Sequence, residues 1–266
     1  MAEASFRVPG LRIWAAPALA AIAAAGVVLA QADVPLFLAL NHSALGRFGA
    51  FWQNITVLGD GIVAAAMMLV LYRRRPDLFW AAFIAAILVS LSIQFGKALR
   101  PTLRPLGLLG PEAVRVIGDE FRNASFPSGH TATAFALAAI LWPAFRSPVA
   151  RGLLVLAGCL VGLSRIMTGA HWVSDALAGG ALGWLLGQLS LELARRTPWG
   201  RGAVFQAILA CLFAAPAVWI LAGYDTAYPA GQALAFGVAV ASLAAVALTF
   251  VPRSGRDRTP RDEFTT

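Results

Sequence analysis

The chain has 266 residues, of which 59% are hydrophobic and only 13% charged, and its mean hydropathy is +0.73. A water-soluble domain of this length needs more polar surface than that composition supplies, so an ordinary soluble protein is excluded and an integral membrane protein is indicated. The net charge of +8 comes mainly from arginines in short gaps between apolar runs, which is typical of topology determinants. We therefore expect the membrane bilayer, and no nucleic acid, among the partners.

Eight apolar runs have about the length needed to cross roughly 30 Å of hydrocarbon. In chain order they cover residues 12–30, 54–72, 78–96, 129–145, 149–166, 173–191, 203–222 and 231–251. Gaps rich in arginine and proline at 73–76, 146–148 and 195–198 separate several of these runs. Glycines in the sixth run, at 179, 180, 183 and 187, predict close helix packing. The prediction is an all-α, polytopic membrane helix bundle with about eight transmembrane helices.

The first run has a second interpretation. Ala30-Gln31-Ala32 follows it and fits the cleavage site of a secretory signal. The apolar run is longer than the usual apolar region of a signal peptide, so we expect a retained first helix.

The distribution of basic residues predicts an orientation. With both termini in the cytoplasm, 14 of the 21 lysines and arginines fall on the cytoplasmic side and seven on the opposite side. Six of those seven lie within or beside two gaps between runs: Lys97, Arg100, Arg104, Arg115, Arg122 and Arg165. Because this outer surplus opposes the positive-inside rule, we expect an anion to bind there. The pattern predicts a site on the periplasmic or extracellular side. The all-apolar spans and the richness in arginine and alanine suggest a bacterial inner membrane protein.

A histidine and a carboxylate lie four residues apart at the start of the sixth run. Residues at this spacing share one face of a helix, so Asp175 can reach the ring of His171. A carboxylate that accepts one ring N–H fixes the tautomer and leaves the other nitrogen free to attack. The pair therefore predicts a nucleophilic His171 oriented by Asp175. A purely structural hydrogen bond is the alternative for these two residues taken alone.

Pro127-Ser128-Gly129-His130 stands where a loop becomes the fourth run. Ser128 predicts an N-cap, Gly129 lets the backbone approach a ligand closely, and the free N–H groups of a helix start attract an anion. His130 beside this helix start is placed to donate a proton to a departing oxygen. An N-cap with an incidental histidine explains the segment equally well.

Three cations accompany the two histidines. Lys97 offers a point charge, whereas Arg104 and Arg165 each offer a planar fork that grips two phosphate oxygens. Snorkelling to lipid headgroups is the alternative for any one of them. Their occurrence on the same membrane face as two histidines favours an anion site.

Eleven of these residues resemble, position for position, the three-part motif of the type 2 phosphatidic acid phosphatase (PAP2) superfamily, which includes membrane lipid phosphatases and soluble vanadium haloperoxidases. They are Lys97, Arg104, Pro105, Pro127, Ser128, Gly129, His130, Ser164, Arg165, His171 and Asp175. The resemblance covers about residues 78–191.

The resemblance assigns a role to each part of the motif. The residues implied to hold the phosphoryl oxygens are Lys97, Arg104, Arg165, Ser128 and Gly129. It implies that His171 attacks phosphorus, that Asp175 orients His171, and that His130 protonates the leaving group. The implied attack by His171 gives a phosphohistidine intermediate. Because fixed cations stabilise the charge of a phosphoryl group without a metal, we expect no cofactor and no metal ion.

The same resemblance suggests a division of the chain. Residues 1–196 would form a PAP2-like core of six helices, residues 197–252 an additional transmembrane pair, and residues 253–266 a basic cytoplasmic tail. The additional pair carries no motif. Enlarging the bundle, shaping lipid entry and forming the dimer face of a homo-oligomer all stay open for it.

The leading hypothesis is a lipid phosphatase that hydrolyses a phosphomonoester or diphosphate headgroup at the outer membrane surface. Undecaprenyl diphosphate, phosphatidylglycerophosphate, phosphatidate and lipid A all fit, and the sequence does not choose among them. One alternative is a lipid phosphotransferase that uses the same intermediate. Another is a non-catalytic lipid transporter whose cations recognise headgroups.

Overall fold

The computed structural model describes residues 12–250, and this part of the chain contains helices and no strand. Its α-helices are α1 (Arg12–Leu29), α2 (Asp33–Asn41), α3 (Gly49–Val57), α4 (Gly61–Met68), α5 (Pro76–Leu99), α6 (Pro105–Leu109), α7 (Gly129–Leu141), α8 (Pro148–Met167), α9 (Val173–Arg196), α10 (Ala203–Leu221) and α11 (Pro229–Ala247). Both termini, and with them the predicted basic tail at 253–266, lie outside the described residues.

Five helices, α5, α8, α9, α10 and α11, are long and apolar enough to cross a membrane. The number rises to seven if two bent pairs each count as one span: the end of α1 with α2, bent by 105°, and α3 with the segment from Gly61 to Leu71, bent by 57°. The prediction of an all-α, polytopic membrane bundle is therefore confirmed.

The described residues contain five to seven candidate spans, against the predicted count of about eight, and helix α7 accounts for part of the difference. The fourth predicted run, 129–145, forms α7, which has 13 residues and continues only as a short 3₁₀ turn over Trp142–Ala144. Thirteen residues rise about 20 Å, well short of the hydrocarbon thickness. Pro143 lies in this turn and has no N–H to donate, so the α-helical hydrogen-bond pattern cannot continue through it.

The sequence also missed helical structure between the first two runs. Helix α2 and the start of α3 lie in residues 31–53, which no predicted run covers. Each of these helices has nine residues, so a search for segments of membrane-spanning length passes over them.

Helices α7 and α9 pack in close contact through the glycines of α9. A Cβ atom added to Gly179 would lie 2.5 Å from the carbonyl oxygen of Ser128, and one on Gly187 would lie 2.8 Å from that of Ala136. No larger side chain fits at these positions without separating the helices. The predicted close packing is confirmed, and Gly179 brings the start of α9 against the start of α7.

The last two helices share a hydrophobic core with α4 and α5. Phe213 of α10 packs against Phe79 of α5, with ring centroids 5.1 Å apart. Ala235 and Ala239 of α11 are fully buried in the same cluster. Helices α10 and α11 therefore belong to one continuous bundle with the preceding helices.

The two ends of the bundle differ in composition. At one end, Trp80 donates a hydrogen bond to Thr197 (2.8 Å), and the Arg73 guanidinium lies 5.0 Å from the ring of Phe250. The two basic gaps at residues 73–76 and 195–198 therefore lie at the same end of the bundle. The opposite end gathers the loops that carry the three motifs.

Candidate active site

His171 and Asp175 form a buried pair at the start of α9. The Nδ1 atom of His171 lies 3.3 Å from Oδ2 of Asp175, and both residues are 2% exposed. The same carboxylate oxygen accepts hydrogen bonds from the backbone N–H of Trp172 (3.0 Å) and the hydroxyl of Ser125 (2.5 Å). A carboxylate fixed by these donors holds the imidazole with a protonated Nδ1 and leaves Nε2 with its lone pair.

The Nε2 atom of His171 faces the guanidinium of Arg104, whose Nη1 lies 3.3 Å away. Backbone carbonyls anchor this arginine: Nη1 donates to Ala170 (2.9 Å) and Nε donates to Asn123 (2.8 Å). Burial, followed by the charge of Arg165, lowers the pKa of Arg104 to about 10. Arg104 is therefore still a cation at neutral pH.

The same surroundings keep His171 uncharged. Burial is the largest cause that lowers the pKa of His171 well below its usual value, and the positive charges of Arg104, Arg165 and Lys97 add to it. The imidazole is accordingly neutral at pH 7, which a nitrogen nucleophile requires.

Arg165, in the last turn of α8, is 2% exposed. Its Nη1 donates to the hydroxyls of Thr56 and Tyr228, both at 2.6 Å. Its Nε is buried and has no hydrogen-bond partner among the described residues. A buried donor without a partner is costly in a folded protein, so this atom is a candidate for ligand contact.

Ser128 is the N-cap of α7, as the sequence predicted. Its hydroxyl oxygen accepts from the backbone N–H of Thr131 (3.5 Å) and from the Thr131 hydroxyl (2.9 Å), and its own N–H donates to the carbonyl of Asp175 (3.1 Å). The N–H groups of Gly129 and His130 stand in the first turn, where no partner exists within the helix. These amides and the helix dipole create a positive end beside His171.

His130 and Lys97 complete the cluster. His130 lies within electrostatic range of His171, Arg165, Arg104 and Lys97. Lys97 is half-buried in the last turn of α5, and a Cβ on the neighbouring Gly96 would lie 2.7 Å from Cδ of Pro127. This close approach brings the end of α5 against the start of α7. All eight predicted site residues therefore meet at one end of the bundle, and their chemical roles stay predictions.

Sequence reasoning missed Thr56, Ser125 and Tyr228, which hold the charged groups of this site. Thr56 lies inside an apolar run, where a polar side chain needs a partner. That was the available signal for Thr56. Tyr228 precedes Pro229 and resembles an interfacial tyrosine, so nothing in the sequence singles it out.

Residues outside the motif have simpler structural roles. Asp60 caps α4 by accepting the N–H of Ile62 (2.8 Å), and it also accepts the hydroxyl of Tyr224 (2.9 Å). Burial and the charge of Asp60 raise the pKa of Tyr224, so the phenol stays protonated. His42 is exposed, and Arg122 pairs with Glu120 at 2.8 Å on the surface.

A cavity of about 330 Å³ borders the outer side of Asp175. Most of its lining is apolar and comes from α2, α6 and the loops beside α9; it includes Val34, Leu103, Leu108, Phe126 and Trp172. Arg100 stands at the cavity with its guanidinium 5.0 Å from the ring of Phe126. The site is thus bordered by a space suited to an apolar group next to a charged one.

The donor set of the site favours anions over cations. Within residues 12–250 no group of three or more histidines, cysteines, aspartates or glutamates has a geometry that could hold a metal ion. The charged side chains around His171 are mainly positive. Metal independence stays a prediction that a chelator experiment tests.

Comparison with known proteins agrees with this geometry. Residues 101–199 match the model of the PAP2 superfamily. The chain is 42% identical over 81 residues to a lipid A 1-phosphatase of Porphyromonas gingivalis, covering 29% of this chain and 18% of that protein. It is 31% identical over 186 residues to lipid phosphate phosphatase 1 of Arabidopsis thaliana, covering 63% of this chain and 51% of the relative. The chain therefore spans at most about half the length of these two curated relatives.

Two solved structures share the fold. The crystal structure of Aquifex aeolicus LpxE superposes with a TM-score of 0.56 at 28% identity, covering 60% of this chain and 94% of that one. A PAP2-type phosphatidylglycerolphosphate phosphatase from Bacillus subtilis gives a TM-score of 0.50 at 21% identity, covering 69% and 96%. The helical bundle is that of a multi-pass membrane protein. Its segment 101–199, which carries most of the clustered motif residues, is similar to the PAP2 superfamily.

Proposed function

We propose that this protein is a lipid phosphatase that hydrolyses a phosphomonoester or diphosphate headgroup through a phosphohistidine at position 171. The observation that carries this proposal is the neutral, buried His171, which is held at Nδ1 by Asp175 and faces Arg104 with Nε2. The relatives named as phosphatases of lipid A and of other lipid phosphates support the substrate class.

In the proposed first step, fixed positive groups hold the phosphoryl oxygens: Lys97, Arg104, Arg165, the Ser128 hydroxyl and the Gly129 amide. The lone pair of His171 Nε2 forms a bond to phosphorus while the bond from phosphorus to the lipid oxygen breaks. His130, protonated in the substrate complex, gives its proton to that oxygen. Asp175 stabilises the positive charge that develops on His171.

In the second step, a water molecule attacks the phosphohistidine. His130 takes a proton from the water, the N–P bond breaks, and its electron pair returns to His171. Inorganic phosphate leaves, and both histidines regain their starting protonation states. The cations hold the phosphoryl oxygens throughout, so the site needs no reorganisation between the two steps.

We further place the site on the periplasmic or extracellular side of a bacterial inner membrane, with both termini in the cytoplasm. The arginine-rich gaps that favour the cytoplasmic side lie at the end of the bundle opposite His171. A site at a helix end also suits a substrate whose tail stays in lipid.

The direct test is phosphate release by the purified protein from lipid A, undecaprenyl diphosphate, phosphatidylglycerophosphate and phosphatidate. With a labelled donor, label in inorganic phosphate alone supports hydrolysis, whereas label in a second lipid indicates a phosphotransferase. Binding of these lipids without release of phosphate would indicate a non-catalytic transporter and would refute the proposal.

Activity is expected to survive removal of divalent metals. In EDTA the rate should stay within about twofold of the untreated rate, because arginine and lysine side chains supply the charge that a metal would otherwise supply. The measurement is phosphate release before and after chelation, with magnesium re-added as a control. A strict requirement for a divalent ion would exclude the proposed mechanism.

We expect the apolar cavity to receive the part of the lipid next to its headgroup. Replacing Leu108, which lines the cavity and is 56% exposed, with tryptophan should lower kcat/KM for a lipid phosphate by roughly 10-fold. Hydrolysis of the small, water-soluble p-nitrophenyl phosphate should change by less than about twofold, because its phosphoryl group reaches the same cations.

The matched control is Leu153→Trp, which adds the same bulk at a 58% exposed position of α8. It should leave both substrates unaffected. Equal losses on the lipid and the small substrate in Leu108→Trp would argue against a lipid role for the cavity.

A further inference from the structure

Arg165 is held by two residues that belong to none of the three motifs. Thr56 comes from α3, and Tyr228 precedes α11. In sequence they lie 109 and 63 residues away from the arginine, and both are outside the segment that matches the PAP2 model. Both hydroxyl oxygens accept from the same atom, Nη1 of Arg165.

This pairing decides which edge of the guanidinium is free. A guanidinium has five N–H groups, and Nη1 carries two of them. Thr56 and Tyr228 take both of these donors. The edge that bears Nε and Nη2 is therefore left for a ligand, and its Nε is buried without a partner among the described residues. Two parallel donors along one edge match two oxygens of a phosphoryl group.

Both hydroxyls are fixed in place. Thr56 is fully buried, and the ring of Tyr228 is 2% exposed and lies 5.5 Å from the guanidinium carbon. Gln53 of α3 accepts the N–H of Ala230 (2.8 Å), which keeps the start of α11 beside α3. These contacts prevent the two acceptors from moving independently of each other.

The long connection after α6 holds Tyr228 from another side. Gly118 has a φ of +85°, and a Cβ there would lie 2.6 Å from Cδ1 of Tyr228. The next residue, Asp119, donates its N–H to the carbonyl of Ala227 (3.1 Å). The loop before α11 is thus packed between α3 and the connection that leads to the His130 motif.

We propose that Thr56 and Tyr228 are positioning residues that turn the Nε–Nη2 edge of Arg165 toward the substrate phosphoryl group. The last helix pair thereby completes the active site through Tyr228. This inference rests on the proposed function, because it takes Arg165 to be a ligand of the phosphoryl group. An arginine with a purely structural role would have its buried Nε paired as well.

The test compares Tyr228→Phe and Thr56→Val with the wild-type protein, all as full-length chains in detergent. Tyr228→Phe removes the hydroxyl and keeps the ring against the guanidinium. We expect each variant to lower kcat/KM for a lipid phosphate by roughly 10-fold, mainly through a higher KM, because a freely rotating Arg165 grips the phosphoryl group less well. Binding of orthovanadate, measured without substrate, should weaken by a similar factor.

The matched control is Tyr224→Phe in the same loop, whose hydroxyl bonds to Asp60 and not to Arg165. It should leave kcat, KM and orthovanadate affinity within about twofold of wild type. Thermal unfolding of every variant shows whether a loss reflects misfolding.

Arg165→Lys supplies a second, independent readout. Lysine has no forked edge to orient, so adding Tyr228→Phe to it should reduce kcat/KM by less than about twofold further. If the losses in kcat/KM from Arg165→Lys and Tyr228→Phe multiply in the double variant, the inference is overturned. It is also overturned if folded Tyr228→Phe and Thr56→Val bind orthovanadate with wild-type affinity. A wild-type protein that releases no phosphate from any lipid would refute the proposed function instead, and orthovanadate binding would still report on the two hydroxyls.

Discussion

Replacing His171 with alanine is expected to lower phosphate release from a lipid phosphate by a factor on the order of 10³ or more. The physical reason is that His171 offers a neutral nitrogen that Asp175 orients and that faces the guanidinium of Arg104. Without this nitrogen no covalent intermediate forms, and the remaining cations only bind the substrate. The measurement is phosphate release under saturating lipid, with substrate binding measured separately.

The matched control is His42→Ala, because His42 is exposed in a loop and lies outside the motif cluster. It should keep the wild-type rate. Because His171 is buried, thermal unfolding of His171→Ala must also be recorded to separate lost chemistry from lost structure. Substantial phosphate release by the folded His171→Ala variant would exclude the phosphohistidine mechanism.

Replacing Asp175 with asparagine is expected to lower kcat by roughly 10² to 10⁴-fold. The asparagine oxygen can take the place of Oδ2, which in the native protein contacts Nδ1 of His171 and accepts from Trp172 and Ser125. The uncharged amide no longer stabilises the positive charge that develops on His171 during attack.

The loss in Asp175→Asn should appear in kcat more than in KM, because the phosphate-binding cations are unchanged. Ser125→Ala is the graded comparison: it removes one hydrogen bond to the carboxylate and leaves its charge, so its effect should be much smaller. A near-native kcat for folded Asp175→Asn would mean that the carboxylate serves structure alone.

The sequence predicted those parts of the site whose chemistry has a local signature. The spacing of four residues predicted the contact between Asp175 and His171, although His171 lies in the turn before α9 and not on a helix face shared with Asp175. The helix-start pattern placed Ser128 at an N-cap. The close contact between α7 and α9 was also readable, because glycines recur along one face of α9.

The parts that could not be predicted depend on tertiary contacts between distant segments. Thr56 and Tyr228 reach Arg165 only because α3 and α11 pack against each other, which no local pattern encodes. The lower number of candidate spans has a different cause: hydropathy measures the length of an apolar run, whereas helix α7 passes inside such a run into a 3₁₀ turn that contains Pro143. Apolar sequence and helix length are separate quantities.

Contacts of this kind also connect the last helix pair, α10 and α11, to the motif cluster. On sequence alone, α10 and α11 could have been an appendage with no link to the chemistry. Their core with α5 and the hydrogen bond from Arg165 to Tyr228 join them to the motif cluster. A shortened chain that ends before α10 is thus expected to lose support for Arg165 as well as buried apolar surface.

The most direct test of the central claim is to trap the covalent intermediate. Full-length protein is mixed with a lipid phosphate labelled in the transferred phosphoryl group, quenched in alkali within the first turnover, and analysed by peptide mass spectrometry. The account predicts an acid-labile, alkali-stable phosphoryl group on His171, which is absent from His171→Ala. Label on another residue, or wild-type turnover with no labelled protein at any quench time, would contradict it.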